Sequence, residues 1–219
     1  ALTSGGGSSA TVATDASAKA IKGDISISID GGTFTIDAAD DAIHSNTDIV
    51  INGGAFTIAS GDDAIHADAT LTVNDGDIDI TQSYEGLESS VITLNDGDIS
   101  VVASDDGVNV SSGESTGFGG RPGQGAMTYT GDTWLYINGG YLLVNSGGDS
   151  LDANGAIEMT GGVVVVHGPT NSGNGALDYD GTFNITGGLL VASGSAGMAQ
   201  APSTSSTQNS LLINFTSGW

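Results

Sequence analysis

A unit of about 22 residues recurs along this chain, and each copy carries a turn of the same type. The turns read Asp-Gly-Gly, Asn-Gly-Gly, Asn-Asp-Gly or Thr-Gly-Gly, and they lie at 30–32, 52–54, 74–76, 95–97, 138–140, 160–162 and 186–188. Their middle residues are separated by 22, 22, 21, 43, 22 and 26 positions. A period of this length indicates a solenoid, in which equivalent residues of successive coils stack into columns.

Apolar residues alternate with polar ones inside each unit, as in half-buried strands. Three inward columns follow from the alignment. The first contains Ile21, Ile43, Ile65, Leu87, Val108, Leu151 and Leu177. The second contains Ile36, Ile58, Ile80, Val101, Val144 and Val166, and the third contains Ile29, Ile51, Val73, Leu94, Ile137, Met159 and Ile185. Burial of each aliphatic side chain contributes roughly 1.5–3 kcal/mol, so the columns form one continuous core.

Three short strands account for each unit, which predicts an all-β protein: a right-handed parallel β-helix of about seven coils. Leucine-rich repeats have a similar period, but their L-x-x-L-x-L pattern and any helical stretch are missing here. We expect one domain over 1–219, with an insertion loop at 111–133 where the step lengthens to 43 residues. Residues 195–219 are expected to be a truncated or capping end, with a last strand at 211–215.

The charge of the chain restricts its partners. The chain has 26 acidic and 3 basic residues, a net charge of −23. Phosphate contacts need Lys and Arg, so nucleic acid is not an expected partner, nor is an acidic membrane surface. No run of 18 apolar residues suggests membrane insertion. We expect a monomer, and the composition, without cysteine and nearly without lysine, is typical of an extracellular or cell-surface β-protein.

Acidic residues recur at fixed places beside the first inward column. Coils stack about 4.8 Å apart, and two carboxylates at that spacing repel by about 3.5 kcal/mol at an effective dielectric of 20. Oxygen-rich sites of this kind suit Ca²⁺. The sequence therefore predicts several calcium ions along this edge, bound by Asp40, Asp41, Asp62, Asp63, Glu85, Glu88, Asp105, Asp106, Asn109, Asp149 and Asp152.

Other interpretations of these polar residues stay open. A solvated acidic edge would keep an extended β-protein soluble and discourage edge-to-edge pairing. His44 and His66 stack one coil apart and are candidate zinc ligands, but with no third ligand adjacent in sequence we favour hydrogen-bonding or outer-shell roles. Lys19 and Lys22, at the head of the acidic columns, are expected to neutralise and cap them.

Several strings resemble a family of secreted bacterial carbohydrate-binding proteins with a calcium-binding parallel β-helix, similar in fold to family-nine pectate lyases. They are Asp-Asp-Ala-Ile-His-Ala-Asp (62–68), Ser-Tyr-Glu-Gly-Leu-Glu (83–88), Gly-Phe-Gly-Gly-Arg-Pro-Gly-Gln-Gly (117–125) and Gly-Met-Ala-Gln-Ala-Pro (197–202). The resemblance covers essentially the whole chain. It implies calcium sites at Asp41, Asp63, Glu85 and Asp106, and extracellular binding of plant cell-wall polysaccharide.

We therefore expect non-catalytic, calcium-dependent binding of acidic glycans such as polygalacturonate, with cellulose as a further ligand. Candidate sugar contacts are Tyr84, Arg121, Trp134, Tyr136 and Tyr141, with Phe118 as a further aromatic. One alternative is a calcium-dependent lyase resembling pectate lyases, with Lys22 beside Asp41 as its base. Another is a structural spacer or adhesin module that calcium merely stiffens.

Overall fold

The computed structural model describes residues 1–13, 16–112 and 131–215. Over these ranges the chain is an all-β solenoid of about seven turns of about 22 residues, built from parallel sheets and without a helix. The strands are, in chain order, β1 (Leu2–Ser4), β2 (Ile21–Gly23), β3 (Ser26–Ile29), β4 (Thr33–Ala38), β5 (Ile43–Ser45), β6 (Asp48–Ile51), β7 (Ala55–Ser60), β8 (Ile65–Val73), β9 (Asp77–Gln82), β10 (Leu87–Leu94), β11 (Asp98–Ala103), β12 (Val108–Val110), β13 (Trp134–Ile137), β14 (Tyr141–Ser146), β15 (Leu151–Ala153), β16 (Ala156–Met159), β17 (Val163–His167), β18 (Leu177–Tyr179), β19 (Phe183–Ile185) and β20 (Leu189–Ser193).

The strands form three parallel faces. Face 1 is an eight-stranded sheet in the order β1-β4-β7-β9-β11-β14-β17-β20. Face 2 contains β2, β5, β12, β15 and β18, and face 3 contains β3, β6, β13, β16 and β19. The long strands β8 and β10 run through the bend between faces 2 and 3, which joins those faces into one twelve-stranded sheet. Each coil therefore passes from face 2 to face 3 to face 1.

The three predicted inward columns are confirmed residue by residue. In the first, Ile21 pairs with Ile43, and the register continues through Ile65 to Leu177. The second and third columns hold the same register across every coil. Nearly all of these side chains are buried in one continuous core. The step of 21 residues is accommodated by an irregularity in β10 between Ser89 and Val91.

An asparagine ladder runs along the corner between faces 3 and 1, at the turns that mark the repeat. The amide of Asn52 donates to Asp30 Oδ1 at 2.7 Å, and that of Asn74 donates to Asn52 Oδ1 at 2.7 Å. Asn95, Asn138 and Thr160 continue the series, each donating to the coil before it. These turn residues thus tie neighbouring coils together as well as reversing the chain.

Glycine is required beside this ladder because the backbone of the previous coil lies very close. Gly140 has a φ of 74°, a conformation that residues with a Cβ rarely adopt. A Cβ on Gly140 would lie 2.5 Å from the carbonyl oxygen of Gly97. The same packing requirement holds at Gly97, Gly162 and Gly188, where a Cβ would lie 2.8, 2.6 and 2.6 Å from a carbonyl oxygen of the previous coil.

The two ends of the solenoid differ from the sequence expectation. At the N-terminal end, β1 pairs with β4 and adds a partial coil that was not predicted, because no repeat turn precedes it in the sequence. The last strand predicted at 211–215 is wrong, because this segment has no strand pairing and its apolar side chains are exposed. Instead the polar segment 203–208 covers β19: the N–H of Ser203 donates to Phe183 O, and that of Gln208 to Ile185 O. Hydroxyls of Ser203 and Ser206 accept from the same strand. Nothing in the described ranges forms a helix that spans a membrane.

Replacement of Asn74 by Ala tests the asparagine ladder. It removes two side-chain hydrogen bonds, to Asn52 and from Asn95, so we expect the free energy of unfolding to fall by about 1–2 kcal/mol. Denaturant titration followed by circular dichroism measures the change. Asn145→Ala is the matched control, since Asn145 is an exposed strand residue of β14. An equal loss in both variants would contradict a stabilising ladder.

Candidate functional site

Two polar columns run side by side along the corner between faces 1 and 2. We call them together the acidic strip. The corner column contains Asp41, Asp63, Glu85, Asp106 and Asp149. The face column contains His44, His66, Glu88, Asn109, Asp152 and Asp178, which pair in register from β5 to β18. The structure thus aligns the acidic residues as the repeat predicted.

Corner-column aspartates also hydrogen-bond the backbone of the next coil. Asp41 Oδ1 accepts from the N–H of Asp63 at 3.4 Å, and Asp106 Oδ1 accepts from the N–H of Asp149 at 2.6 Å. Asp63 and Asp149 accept in the same way from the coils that follow them. This role of the aspartates was not predicted from the sequence. The signal was present, because a short acceptor recurs at the position where each coil turns from face 1 into face 2.

The first coils of the strip carry a lysine. Lys19 Nζ lies 2.8 Å from Asp40 Oδ1 and 2.6 Å from Asp41 Oδ2, and Asp41 is only 1% exposed. Burial alone would lower the pKa of Lys19, but the hydrogen bonds to both carboxylates raise it above its usual value. Lys19, and not Lys22, therefore contacts Asp41. Lys22 is exposed on β2 in register with His44, and no ion pair of Lys22 is found among the described residues.

Both predicted histidines face carboxylates. His44 Nδ1 lies 2.9 Å from Asp41 Oδ2. His66 Nδ1 lies 3.3 Å from Asp63 Oδ2 and 3.2 Å from Glu88 Oε2. Burial would lower the pKa of His66, but the contacts with Asp63 and Glu88 outweigh it and raise this pKa to about 9. His66 is thus cationic at neutral pH when no metal is bound.

The later coils of the strip hold carboxylates without a cationic partner in the described part of the chain. Burial and neighbouring carboxylates raise the pKa of Glu85 to about 8 and, by the same causes, that of Asp149 to about 6. Burial and the charges of Asp106 and its neighbours raise the pKa of Asp152 well above its ordinary range, and that of Asp106 rises too. A cation bound among these groups would favour their ionised forms by offsetting their mutual repulsion.

Asn109 adds an amide to this part of the strip. Its Nδ2 donates to Glu85 Oε2 at 2.8 Å, and the residue is only 9% exposed. Its Oδ1 is buried and has no hydrogen-bond partner among the described residues. An orphaned buried carbonyl oxygen is costly unless a ligand accepts its lone pairs.

Several of the predicted metal ligands converge. Three groups place one ligand atom from each member within 4.8 Å of the others: Asp40, Asp41 and Asp62; Asp41, His44 and His66; and Asp63, His66 and Glu88. The remaining predicted ligands, Glu85, Asp105, Asp106, Asn109, Asp149 and Asp152, lie in the following coils of the same corner, and no three carboxylates among them bring their oxygens within 4.8 Å of one another. Calcium itself stays a prediction.

The predicted sugar-binding aromatics do not form one surface. Tyr84 is 45% exposed at the acidic corner, where its hydrogen bond to Asp105 raises the pKa of its phenol. Trp134 and Tyr136 lie on face 3, stacked with ring centroids 5.3 Å apart. Tyr141 begins β14 on face 1. Arg121 and Phe118 lie outside the described residues.

Comparison with known proteins bears on the function. A family model described as a carbohydrate-binding domain-containing protein matches residues 1–64, which include the first coils of the acidic strip. This match supports a carbohydrate-binding role. The curated proteins and the solved structures gave no match.

Replacement of Lys19 by Met tests the charge balance of the first coils. Asp41 would keep its buried carboxylate and lose its ammonium partner, so we expect unfolding to become easier by about 3 kcal/mol. The measurement is denaturant unfolding in the presence of chelator, which prevents a bound ion from replacing the lysine. The exposed Lys22→Met is the charge-matched control. Equal stability of the two variants would show that the contacts of Lys19 contribute nothing.

Proposed function

We propose that this protein is an extracellular, non-catalytic module that binds acidic plant cell-wall polysaccharide through calcium held by the acidic strip. The observation that carries the proposal is the row of half-buried carboxylates in the later coils, which has no cationic partner in the described residues. The family match over 1–64 supports the carbohydrate part of the proposal. The proposed location is a compositional argument, from an acidic chain without cysteine.

The donor set of the later coils suits calcium. Glu85, Asp106, Asp149 and Asp152 supply carboxylate oxygens, and Asn109 supplies the orphaned Oδ1. All these donors are oxygens, as Ca²⁺ requires, and Ca²⁺ tolerates loose geometry with six to eight ligands. No imidazole and no ammonium contacts these carboxylates among the described residues; the Asn109 amide and the backbone N–H groups of Asp149 and Gly175 donate to them. Because these donors come from three successive coils, calcium ions would be held between neighbouring coils and not by all five residues at once.

Calcium also resolves the repulsion between protein and ligand. The chain carries a net charge of −23, and a polyuronate carries a negative charge on every sugar. Two such polyanions repel each other, so association requires a cation between them. A bound calcium ion would supply that positive charge at the surface where a sugar carboxylate arrives. Binding of acidic glycans should therefore depend strictly on calcium.

Tyr84 is the aromatic placed to share this site. It lies at the same corner, with its phenol held by Asp105 and with nearly half of its surface exposed. Tyrosine offers a flat apolar ring with a polar tip, which suits the face of a sugar. We infer that Tyr84 packs against the glycan next to the calcium-bound carboxylate.

A lyase needs a neutral basic side chain beside the sugar. The Lys19 ammonium is held by two carboxylates that keep its pKa high, which makes it a poor base. Lys22 is exposed and makes no ion pair with Asp41 among the residues described. These contacts favour binding over cleavage. Lyase activity would be detected as release of unsaturated product from polygalacturonate.

The double variant Asp106→Asn/Asp152→Asn tests the calcium site. Wild-type protein should be retained on polygalacturonate in calcium and released by chelator, whereas the variant should lose retention. Calcium at 100-fold over its Kd should stabilise the wild type by about 2.7 kcal/mol, and this gain should shrink in the variant. The charge-matched control is Asp77→Asn/Asp79→Asn on exposed positions of face 1. Pull-down and thermal melting provide the two measurements.

Each other outcome has a distinct meaning. Release of an unsaturated, ultraviolet-absorbing product from polygalacturonate would show that the protein is a lyase and not only a binding module. A calcium-dependent rise in melting temperature without retention on any glycan would instead indicate a structural spacer module that calcium stabilises. Retention on uncharged cellulose that ignores chelator would separate glycan binding from calcium and contradict the proposed bridge.

Tyr84→Ala tests the aromatic contact. Loss of the exposed ring should weaken binding to polygalacturonate about threefold to tenfold, with calcium affinity unchanged, because the ring touches sugar and not the ion. Titration calorimetry with oligogalacturonate measures both quantities. Tyr141→Ala, on face 1, is the matched control and should bind like the wild type. An unchanged affinity in Tyr84→Ala would remove this residue from the site.

A further inference from the structure

His44 presents a buried ring nitrogen without a hydrogen bond. The residue is only 8% exposed, and its Nε2 lies 3.1 Å from Asn46 Oδ1. Its Nδ1 faces Asp41 Oδ2 at 2.9 Å, yet the geometry is not that of a hydrogen bond and the atom has no other partner among the described residues. A buried polar atom in this situation requires a physical explanation.

The contact with Asn46 is compatible with the tautomer in which Nε2 carries the proton. When Nε2–H donates to Asn46 Oδ1, Nδ1 carries a lone pair, and that lone pair confronts a carboxylate oxygen. Two such electron-rich atoms repel unless a proton or a metal ion lies between them. An imidazole whose outer nitrogen donates to an oxygen, while its inner nitrogen faces other ligands, is the usual arrangement at a metal centre.

His66 supplies a second nitrogen at the same place. Its Nδ1 lies 3.7 Å from Asp41 Oδ2, and its Nε2 lies 3.5 Å from Asp68 Oδ1, which repeats the outer contact of His44 one coil later. The ligand atoms of Asp41, His44 and His66 all lie within 4.8 Å of one another. Ligands about 2.0–2.2 Å from a tetrahedral ion are separated by roughly 3.3–3.6 Å, so small side-chain movements suffice.

We propose that Asp41 Oδ2, His44 Nδ1 and His66 Nδ1 bind one divalent transition-metal ion, separate from the calcium proposed for the later coils. Two imidazoles and a carboxylate suit zinc, cobalt, nickel or copper, whereas calcium selects oxygen ligands. The carboxylates of Asp63 and Glu88, which contact His66 Nδ1 at 3.3 Å and 3.2 Å, stand next to the ion. The acidic strip therefore holds a borderline metal in its first coils and a hard one in its later coils.

The local charge accommodates such an ion. When both imidazoles are neutral, as metal binding requires, five carboxylates face the single ammonium of Lys19, a balance of four negative charges. They belong to Asp40, Asp41, Asp62, Asp63 and Glu88. Lys19 would remain held by Asp40 Oδ1 at 2.8 Å when Asp41 turns to the metal. The third ligand, which was not recognised from the sequence, is Asp41 of the neighbouring corner column.

Cobalt(II) is the probe, because its visible absorption reports nitrogen coordination. The full chain is titrated with Co²⁺ in excess calcium, so that the oxygen-only site is saturated throughout. We expect one tight equivalent with ligand-field bands, weakened by about 100-fold or more in His44→Gln and in His66→Gln. His167→Gln is the matched control, since His167 is exposed at the end of β17, and it should bind cobalt like the wild type.

A second readout uses the unaltered protein, so that misfolding of a variant cannot decide the result. In ¹⁵N spectra of the imidazoles, Zn²⁺ added in excess calcium should shift the Nδ1 signals of His44 and His66 and leave those of His167 in place. Absence of a tight cobalt equivalent, or zinc shifts that spare His44 and His66, would overturn the proposal. Neither result depends on glycan binding, so the proposed function stands or falls separately.

Discussion

In-register stacking of successive coils is the constraint on which the rest of this structure depends. Parallel pairing places each residue about 4.8 Å from its equivalents in the coils before and after it. The same rule builds the aliphatic columns, the asparagine ladder and the acidic strip. A side chain that occurs once in each coil therefore forms a row of equivalent side chains along the solenoid. The favourable or unfavourable interaction between neighbouring members is repeated at every coil.

The acidic strip shows this repetition of one interaction most clearly. A corner aspartate suits each coil because its carboxylate accepts a backbone N–H from the next one. Repetition of this favourable local contact concentrates negative charge along one edge, and burial raises the pKa of several of its carboxylates. The first coils offset the charge with Lys19 and His66 and also offer imidazole nitrogens, whereas the later coils offer only oxygens and the orphaned Asn109 amide. The same edge therefore favours different cations at its two ends.

The period of the sequence was sufficient to predict most of the fold. Columns such as Ile21 to Leu177 follow from the spacing alone, because solvent exclusion and strand pairing act on every copy in the same way. The direction of polar side chains was not predictable at this level. Both lysines stand near the acidic columns in sequence, and only the path of the first coil decides that Lys19 contacts Asp41. The convergence of His44 and His66 on Asp41 likewise depends on ring orientation, and the apolar run at 211–215 looked like a strand although no free edge pairs with it.

The step of 43 residues has a practical consequence for protein engineering. Val108–Val110 keep their register with β10, and so do Trp134–Ile137, although the chain between them is about twenty residues longer than in other coils. The entropy of closing a loop grows only slowly with its length. We therefore expect this bend to be a suitable insertion site for a foreign peptide or a guest domain, because the flanking strands keep their pairing across the long connection.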